Sequence, residues 1–270
     1  MANEEGIWPV KELGNWDDFE SQVLNKLYRN WLFRGHSNVR WSLESSLYRL
    51  FTDMKEIIKA SKNRSRGFAK DDHEQELIRE FKSQAHLFLN TLPKKNEALE
   101  WLSLMQHYGT PTRLLDVTFS PYVAAFFVLE TGNEDCCVYA IDHIHFTETD
   151  KEHFGSTKYK DNVFSDQRGS KSFFFPFEPE MKNERLVAQQ GAFLVSSTNY
   201  NTYDDIIGNY EFDEKSCVKY ILKKEMRLEG LLKLRLMNIT SATLFPGIDG
   251  FARSLRFQVL DSIKRRKRLC

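Results

Sequence analysis

Cysteine is scarce, with four residues among 270, at positions 136, 137, 217 and 270. Two are neighbours and one is the last residue, a spacing that fits neither a metal clip nor a disulfide framework. Cys136 and Cys137 open an apolar run, CCVYAID, where a thiol behaves as a small hydrophobe in a strand. An excess of one charge is also lacking: 38 basic and 38 acidic side chains cancel, which argues against strong general affinity for nucleic acid. No run approaches the roughly 18 apolar residues of a membrane span, and MANEEGIWPV carries no leader pattern. The chain therefore reads as soluble and cytoplasmic, with no membrane partner. P-loop, GxGxxG, HExxH and GxSxG patterns are missing, which sets aside the common nucleotide and hydrolase signatures. His143 and His145 share one face of an expected strand but find no third ligand, so no metal is expected.

What is present is a core. Hydrophobic residues make up 41%, including 21 Phe, 10 Tyr and 5 Trp, and charged residues only 28%, a balance that excludes disorder and allows one globular unit spanning 1–270.

Periodicity orders the chain. Asn15 caps a helix with Trp16, Phe19, Val23, Leu27 and Tyr28 on one stripe. Trp31, Leu32 and Phe33 form a buried strand ending at Arg34-Gly35, extended by Trp41 to Leu43. Residues 55–70 are polar and basic and suit an exposed loop. Two helical stripes, Asp71 to Leu92 and Asn96 to His107, make a hairpin around Pro93. Ser120-Pro121 starts a nearly all-apolar helix. Strands are expected at Cys136 to Ile141, Ala192 to Ser197 and Cys217 to Leu222, and helices at Lys223 to Met237 and Phe251 to Leu269. The cationic block at 264–268 either touches a polyanion or solvates a helix end.

Three segments carry more polar groups than packing demands. His107, Tyr108, Thr110, Thr112, Arg113, Asp116 and Thr118 emerge between two apolar helices, at a helix start that suits an anion. The alternative is that Asp116 and Thr118 cap the helix while Arg113 pairs with Asp116. Arg34 leaves a buried strand and can grip a diphosphate bidentately; Gly35 follows because a ligand or a backbone comes too close for a Cβ. A salt bridge with a glycine turn explains the pair equally. Arg185, Gln189 and Gln190 precede a glycine and an apolar strand, and either position a ribose or are ordinary loop residues.

Four stretches carry a resemblance: WLFRGHSNVRWSLESSLYR, QHYGTPTRLLDVTFSPYVAAFF, RLVAQQGAFLV and LRLMNITSATLFPGIDGFARSL. In this order, over about residues 15–256, they resemble the FRG domain family, whose Phe-Arg-Gly motif is Phe33-Arg34-Gly35. These domains occur in bacteria and phages, often among defence or toxin genes, and are similar in motif order to ADP-ribosyltransferases. The resemblance implies an α+β fold: a small, split, mostly antiparallel sheet flanked by helices, ADP-ribosyltransferase-like, with the helical hairpin inserted at about 70–108. It implies NAD as substrate without a metal. Arg34, Asp116, Thr118 and Gln190 would be catalytic. Arg34, Gly35, His107, Tyr108, Thr110, Arg113 and Gln189 would hold NAD, with Arg34 and Arg113 on the diphosphate. Tyr108 or a ring of Phe173 to Phe175 would stack on nicotinamide. The sequence departs from the transferase pattern at Gln189-Gln190, where a glutamate is usual; an amide keeps a hydrogen bond to ribose but is no general base. Either the acceptor is already nucleophilic, or Asp116, His107 or Glu184 supplies the base, or the protein is not a transferase.

The implied activity is an NAD-dependent ADP-ribosyltransferase acting as a toxin or phage-defence effector. Its acceptor would be a protein, or a nucleic acid reached through 55–70 and 264–268, and its partner an antitoxin protein. The alternative is a non-catalytic nucleotide- or partner-binding sensor module. A nuclease using His107 and Asp116 leaves Arg34-Gly35 and the glutamines unexplained.

Overall fold

The structure is a computed structural model describing residues 6–60, 70–132, 134–164 and 171–257. The chain order is β1 (Val10–Leu13), α1 (Trp16–Val23), β2 (Trp31–His36), α2 (Ser46–Ala60), α3 (Lys70–Gln84), α4 (Ala98–His107), β3 (Leu114–Thr118), α5 (Pro121–Thr131), β4 (Cys136–Asp142) and α6 (His143–Phe154). There follow β5 (Phe174–Phe177), α7 (Glu184–Ala188), β6 (Gly191–Ser196), α8 (Tyr203–Ile207), β7 (Cys217–Leu222), α9 (Arg227–Leu236), α10 (Ser241–Leu244) and α11 (Ile248–Ser254).

The class is α+β, and the sheet is larger than expected. Seven strands join in the order β1-β7-β4-β2-β3-β6-β5. Every pairing is antiparallel except β1 with β7. The sheet is split at one place. Six register pairs bind β2 to β4 and five bind β3 to β6, while β2 and β3 share only Phe33 with Thr118. Beyond that pair the two strands diverge, and a gap opens in the middle of the sheet.

Side-chain alternation along the strands sorts the packing. Trp31 and Phe33 of β2, with Val138, Ala140, Val218 and Tyr220, pack under α1, α5 and α9. Thr118 opposes Phe33 and so lies on that face, as do Asp116 and Leu114 two and four residues earlier. Leu114, Phe193 and Val195 pack instead under Ile78 of α3, Leu102 and Met105 of α4 and Leu186 of α7. One face of the sheet therefore carries two helical layers that part above the gap. The opposite face, with Leu32, Leu115, Tyr139 and Leu194, is closed by Phe146 of α6 and by Tyr203, Ile206 and Ile207 of α8.

Local chemistry explains the elements around the gap. Asn15 caps α1 by accepting from the Asp18 amide at 2.9 Å. Ser120 caps α5, with Pro121 at the first helical position. The apolar circumference of α5 suits its burial, with Val123, Ala124, Phe126 and Val128 each at most 2% exposed. Gly35 is required by this packing: a Cβ there would lie 2.5 Å from the Ala124 carbonyl oxygen and 2.5 Å from Val128 Cγ1. The approaching helix thus accounts for the glycine, which also lines the cleft described below.

Several expectations need correction. α1 stops at Val23, leaving Leu27 and Tyr28 exposed. Trp41 to Leu43 do not extend the strand. Residues 55–60 are the last turns of α2 rather than loop; the rest of the basic stretch, 61–69, lies outside the described residues, as do Cys270 and 264–268. His143 and His145 begin helix α6 and share no strand face. Asp142 caps that helix, which the alternating apolar run before it did not reveal. The helix expected from Phe251 is placed as α11, and its continuation beyond 257 lies outside the described residues. No helix among the described residues is long and apolar enough to cross a membrane.

Candidate functional site

A cleft of about 380 Å³ follows the divergence of the two helical layers, a volume within the range of small-ligand sites. Strand β2 contributes Arg34, strand β3 Asp116 and Thr118, the end of α4 His107, and the α7–β6 corner Arg185 and Gln189. Three sequence segments far apart in the chain thus meet because their strands are neighbours.

Arg34 stands in the gap itself. Where continued pairing would have joined β2 to β3, its Nη1 donates to the Asp116 carbonyl at 3.0 Å and lies 3.7 Å from the Asp116 carboxylate. The guanidinium thus satisfies a strand carbonyl that the missing ladder leaves open. Its Nε is buried without a hydrogen-bond partner, and an arginine has five donors, so capacity remains for an oxyanion. The Asp116 side chain is mostly exposed to the cleft.

His107 has an assignable proton. Asn183 Oδ1 accepts from the Leu186 amide at 2.8 Å, so its Nδ2 is the group 3.2 Å from His107 Nδ1. Nδ1 therefore accepts, and the neutral ring carries its proton on Nε2. Burial, then nearby Arg185, holds the His107 pKa below its ordinary value. Arg185 is propped over the Phe245 ring, 4.8 Å from its centroid, with Arg253 at 4.3 Å.

Other expected residues are engaged elsewhere. Thr118 lines the cleft, but its hydroxyl donates to the Gln189 carbonyl at 2.7 Å and accepts from the Ser120 amide at 3.0 Å. It ties the end of β3 to the α7–β6 corner. Gln189 donates its side-chain amide to the Leu244 carbonyl at 2.9 Å, leaving Oε1 as an acceptor. Gln190 has φ 48° and is exposed, its carbonyl taken by the Phe119 amide; it does not line the cleft. Tyr108 is exposed and packs edge-on against His107. Thr110 lines a smaller hollow beside the cleft, which Arg34 and Asp116 also reach.

Arg113 does not line the cleft. It is 3% exposed and holds the buried carboxylate of Glu74, while Nη1 donates to the carbonyls of Val163 and Ser196 at 2.8 and 3.1 Å. Its carboxylate partner is Glu74 rather than Asp116. Phe173, Phe174 and Phe175 are core residues in or beside β5, none more than 4% exposed, and do not face the cleft. Glu184 does not line it either. Gln106, Asn183 and Phe127 do line it; in sequence they were indistinguishable from ordinary helix and loop residues.

No curated protein and no solved structure matches this chain. The FRG domain model matches residues 29–136, a narrower span than the resemblance had suggested, and one that leaves out the corner with Gln189. That span contains β2 with Phe33-Arg34-Gly35, the helical hairpin, β3 with Asp116, and α5. Over residues 29–136, the chain is similar to the FRG domain family.

Proposed function

We propose that the cleft binds NAD and that the protein is an ADP-ribosyltransferase, a toxin or phage-defence effector with a nucleic-acid or protein acceptor. The observation that carries this reading is the convergence of Arg34 of β2, Asp116 of the adjacent strand β3 and Gln189 of the α7–β6 corner, from three motifs, around one cleft. The same strand neighbourhood supports the ADP-ribosyltransferase-like finer description of the fold.

The chemistry assigns a task to each group. Arg34, with its buried unpartnered Nε, and the Nε2–H of His107 donate to the diphosphate oxygens. The bond that breaks joins C1′ of ribose to the nicotinamide nitrogen, which leaves with the electron pair. The cationic centre left at C1′ is stabilised by the carboxylate of Asp116, a fixed charge beside the ribose. The acceptor's nucleophilic atom then bonds to C1′ and gives up its proton to the same carboxylate or to solvent. Gln189 Oε1 accepts from a ribose hydroxyl.

A second reading has its own support. No glutamate stands at the β6 corner, Gln190 turns away, and the Gln189 amide is spent on Leu244. That arrangement suits a sensor that holds a nucleotide without cleaving it.

Labelled NAD, a bacterial lysate and the purified protein distinguish the two. The transferase reading expects label on macromolecules with the wild type and none with Arg34→Ala, removed by nuclease or by protease according to the acceptor. Binding of NAD with no label and no nicotinamide release overturns it in favour of the sensor.

A further inference from the structure

A second hollow, of about 590 Å³, lies on the other side of Arg34, between the end of β2, the start of α2 and the last turns of α5. Its lining includes His36, Arg40, Trp41, Glu44 and Arg49. Two features set it apart from an ordinary surface dip.

The first is an excess of positive charge, three arginines against one lining carboxylate. Arg34 is drawn toward Asp116. Among the described residues no carboxylate pairs with Arg40 or Arg49; Arg49 Nη1 donates instead to a backbone carbonyl, that of Glu44, at 2.9 Å. Donors remain free on both guanidinium groups. The one carboxylate lining the hollow is that of Glu44, whose pKa burial pushes up against the pull of Arg49. His36 reports the same field: burial first, then Arg34, with Arg49 and Lys219 adding, pushes its pKa down to about 4.

The second is an exposed indole on a fixed mount. Trp41 is 56% exposed, yet its carbonyl accepts from the Tyr139 hydroxyl at 2.9 Å and lies 3.3 Å from His36 Nδ1. A carbonyl only accepts, so His36 carries its proton on Nδ1. Two core side chains thus hold the backbone of Trp41 in place and leave its ring in solvent.

We propose that this hollow is a binding site for a nucleoside phosphate, with the base stacked on Trp41 and the phosphate held by Arg40 and Arg49. A planar π-face beside bidentate donors is the pairing that nucleotides fit, whereas a simple oxyanion has no use for the indole. The ligand is either a free mononucleotide or one nucleotide of a single strand. The site does not require bond cleavage at Asp116, so it stands apart from the transferase reading.

The test titrates AMP by calorimetry and a labelled single-stranded RNA decamer by anisotropy. The proteins are the wild type, Arg49→Ala, Trp41→Ala and Trp41→Phe, all melting alike because these side chains are exposed. The wild type is expected to bind at least one probe. Arg49→Ala and Trp41→Ala should each weaken that binding about tenfold, as the loss of one stacked base or one ionic contact does, and Trp41→Phe should restore most of it. Binding of AMP alone identifies a free nucleotide; binding of the decamer, displaced only at high AMP, identifies a strand. Binding of neither probe, or binding that both alanine variants leave unchanged, overturns the proposal. NAD cleavage assayed on the same samples separates its failure from that of the transferase reading.

Discussion

Replacing Gly35 by alanine tests the packing argument at the centre of the fold. The added Cβ would sit 2.5 Å from the Ala124 carbonyl oxygen and 2.5 Å from Val128 Cγ1, about 1 Å inside ordinary contact distance. Val128 has some rotameric freedom; the Ala124 carbonyl belongs to a helix whose neighbouring residues are almost wholly buried. Relief therefore requires α5 to lift from β2. Overpacking of this kind costs about 1–3 kcal/mol and more when backbone must move, so about 3 kcal/mol is expected, or roughly 6–12 °C in melting temperature for a chain of this size. Urea unfolding followed by circular dichroism reads it as a lower midpoint at unchanged slope. Val128→Ala in the same chain should recover only part of the loss, because the carbonyl contact persists, and the two substitutions should fail to add. A Gly35→Ala protein that melts within about 1 °C of wild type would refute the reasoning, and if it also lost NAD binding, the glycine would be there for the ligand.

Other expectations follow from named groups. Arg113→Ala should cost about 3–5 kcal/mol of stability, since it leaves the Glu74 carboxylate buried without its cation; thermal melting checks this, and Arg113→Ala stable as wild type with lost NAD binding would contradict its structural assignment. His36 has a folded pKa of about 4 against 6.5 unfolded. Its contribution is fully present above pH 6.5 and is lost as pH falls toward 4, by at most about 3 kcal/mol. The stability–pH curve of His36→Asn should be flatter in that window than that of wild type. Ser120→Ala removes the cap of α5 and should cost about 1 kcal/mol, read as a small drop in urea midpoint.

Much of the scaffold was legible because local chemistry and tertiary position agreed. Asn15, Ser120-Pro121 and the apolar strands at 136, 192 and 217 carried caps, breakers and periodicity that packing left in place. The misreadings arose where one pattern serves two structures. His143 and His145 alternate as in a strand, but the Asp142 cap starts a helix. The polar face of α2 read as loop, because an amphipathic helix on the surface is half polar. At the site, the sequence pointed to Arg34, Asp116 and Gln189 because each sits in a motif between apolar elements. It also pointed to Arg113, since a charged residue beside a strand looks the same whether it faces a ligand or a buried partner 39 positions away. Arg40, Trp41 and Arg49 lie in the first of the four stretches, but their spacing did not mark them as one lining, because a turn and a helix meet around the hollow only in the fold.

The central claim is that the gap between β2 and β3 holds NAD and breaks its glycosidic bond. Nicotinamide release, measured by chromatography from NAD incubated with the purified protein and a bacterial lysate, tests it most directly. The account predicts release by the wild type, strongly reduced by Asp116→Asn with NAD affinity largely retained, and abolished by Arg34→Ala through loss of binding. Release that survives both substitutions in folded protein, or no release by a wild type that binds NAD, would contradict it.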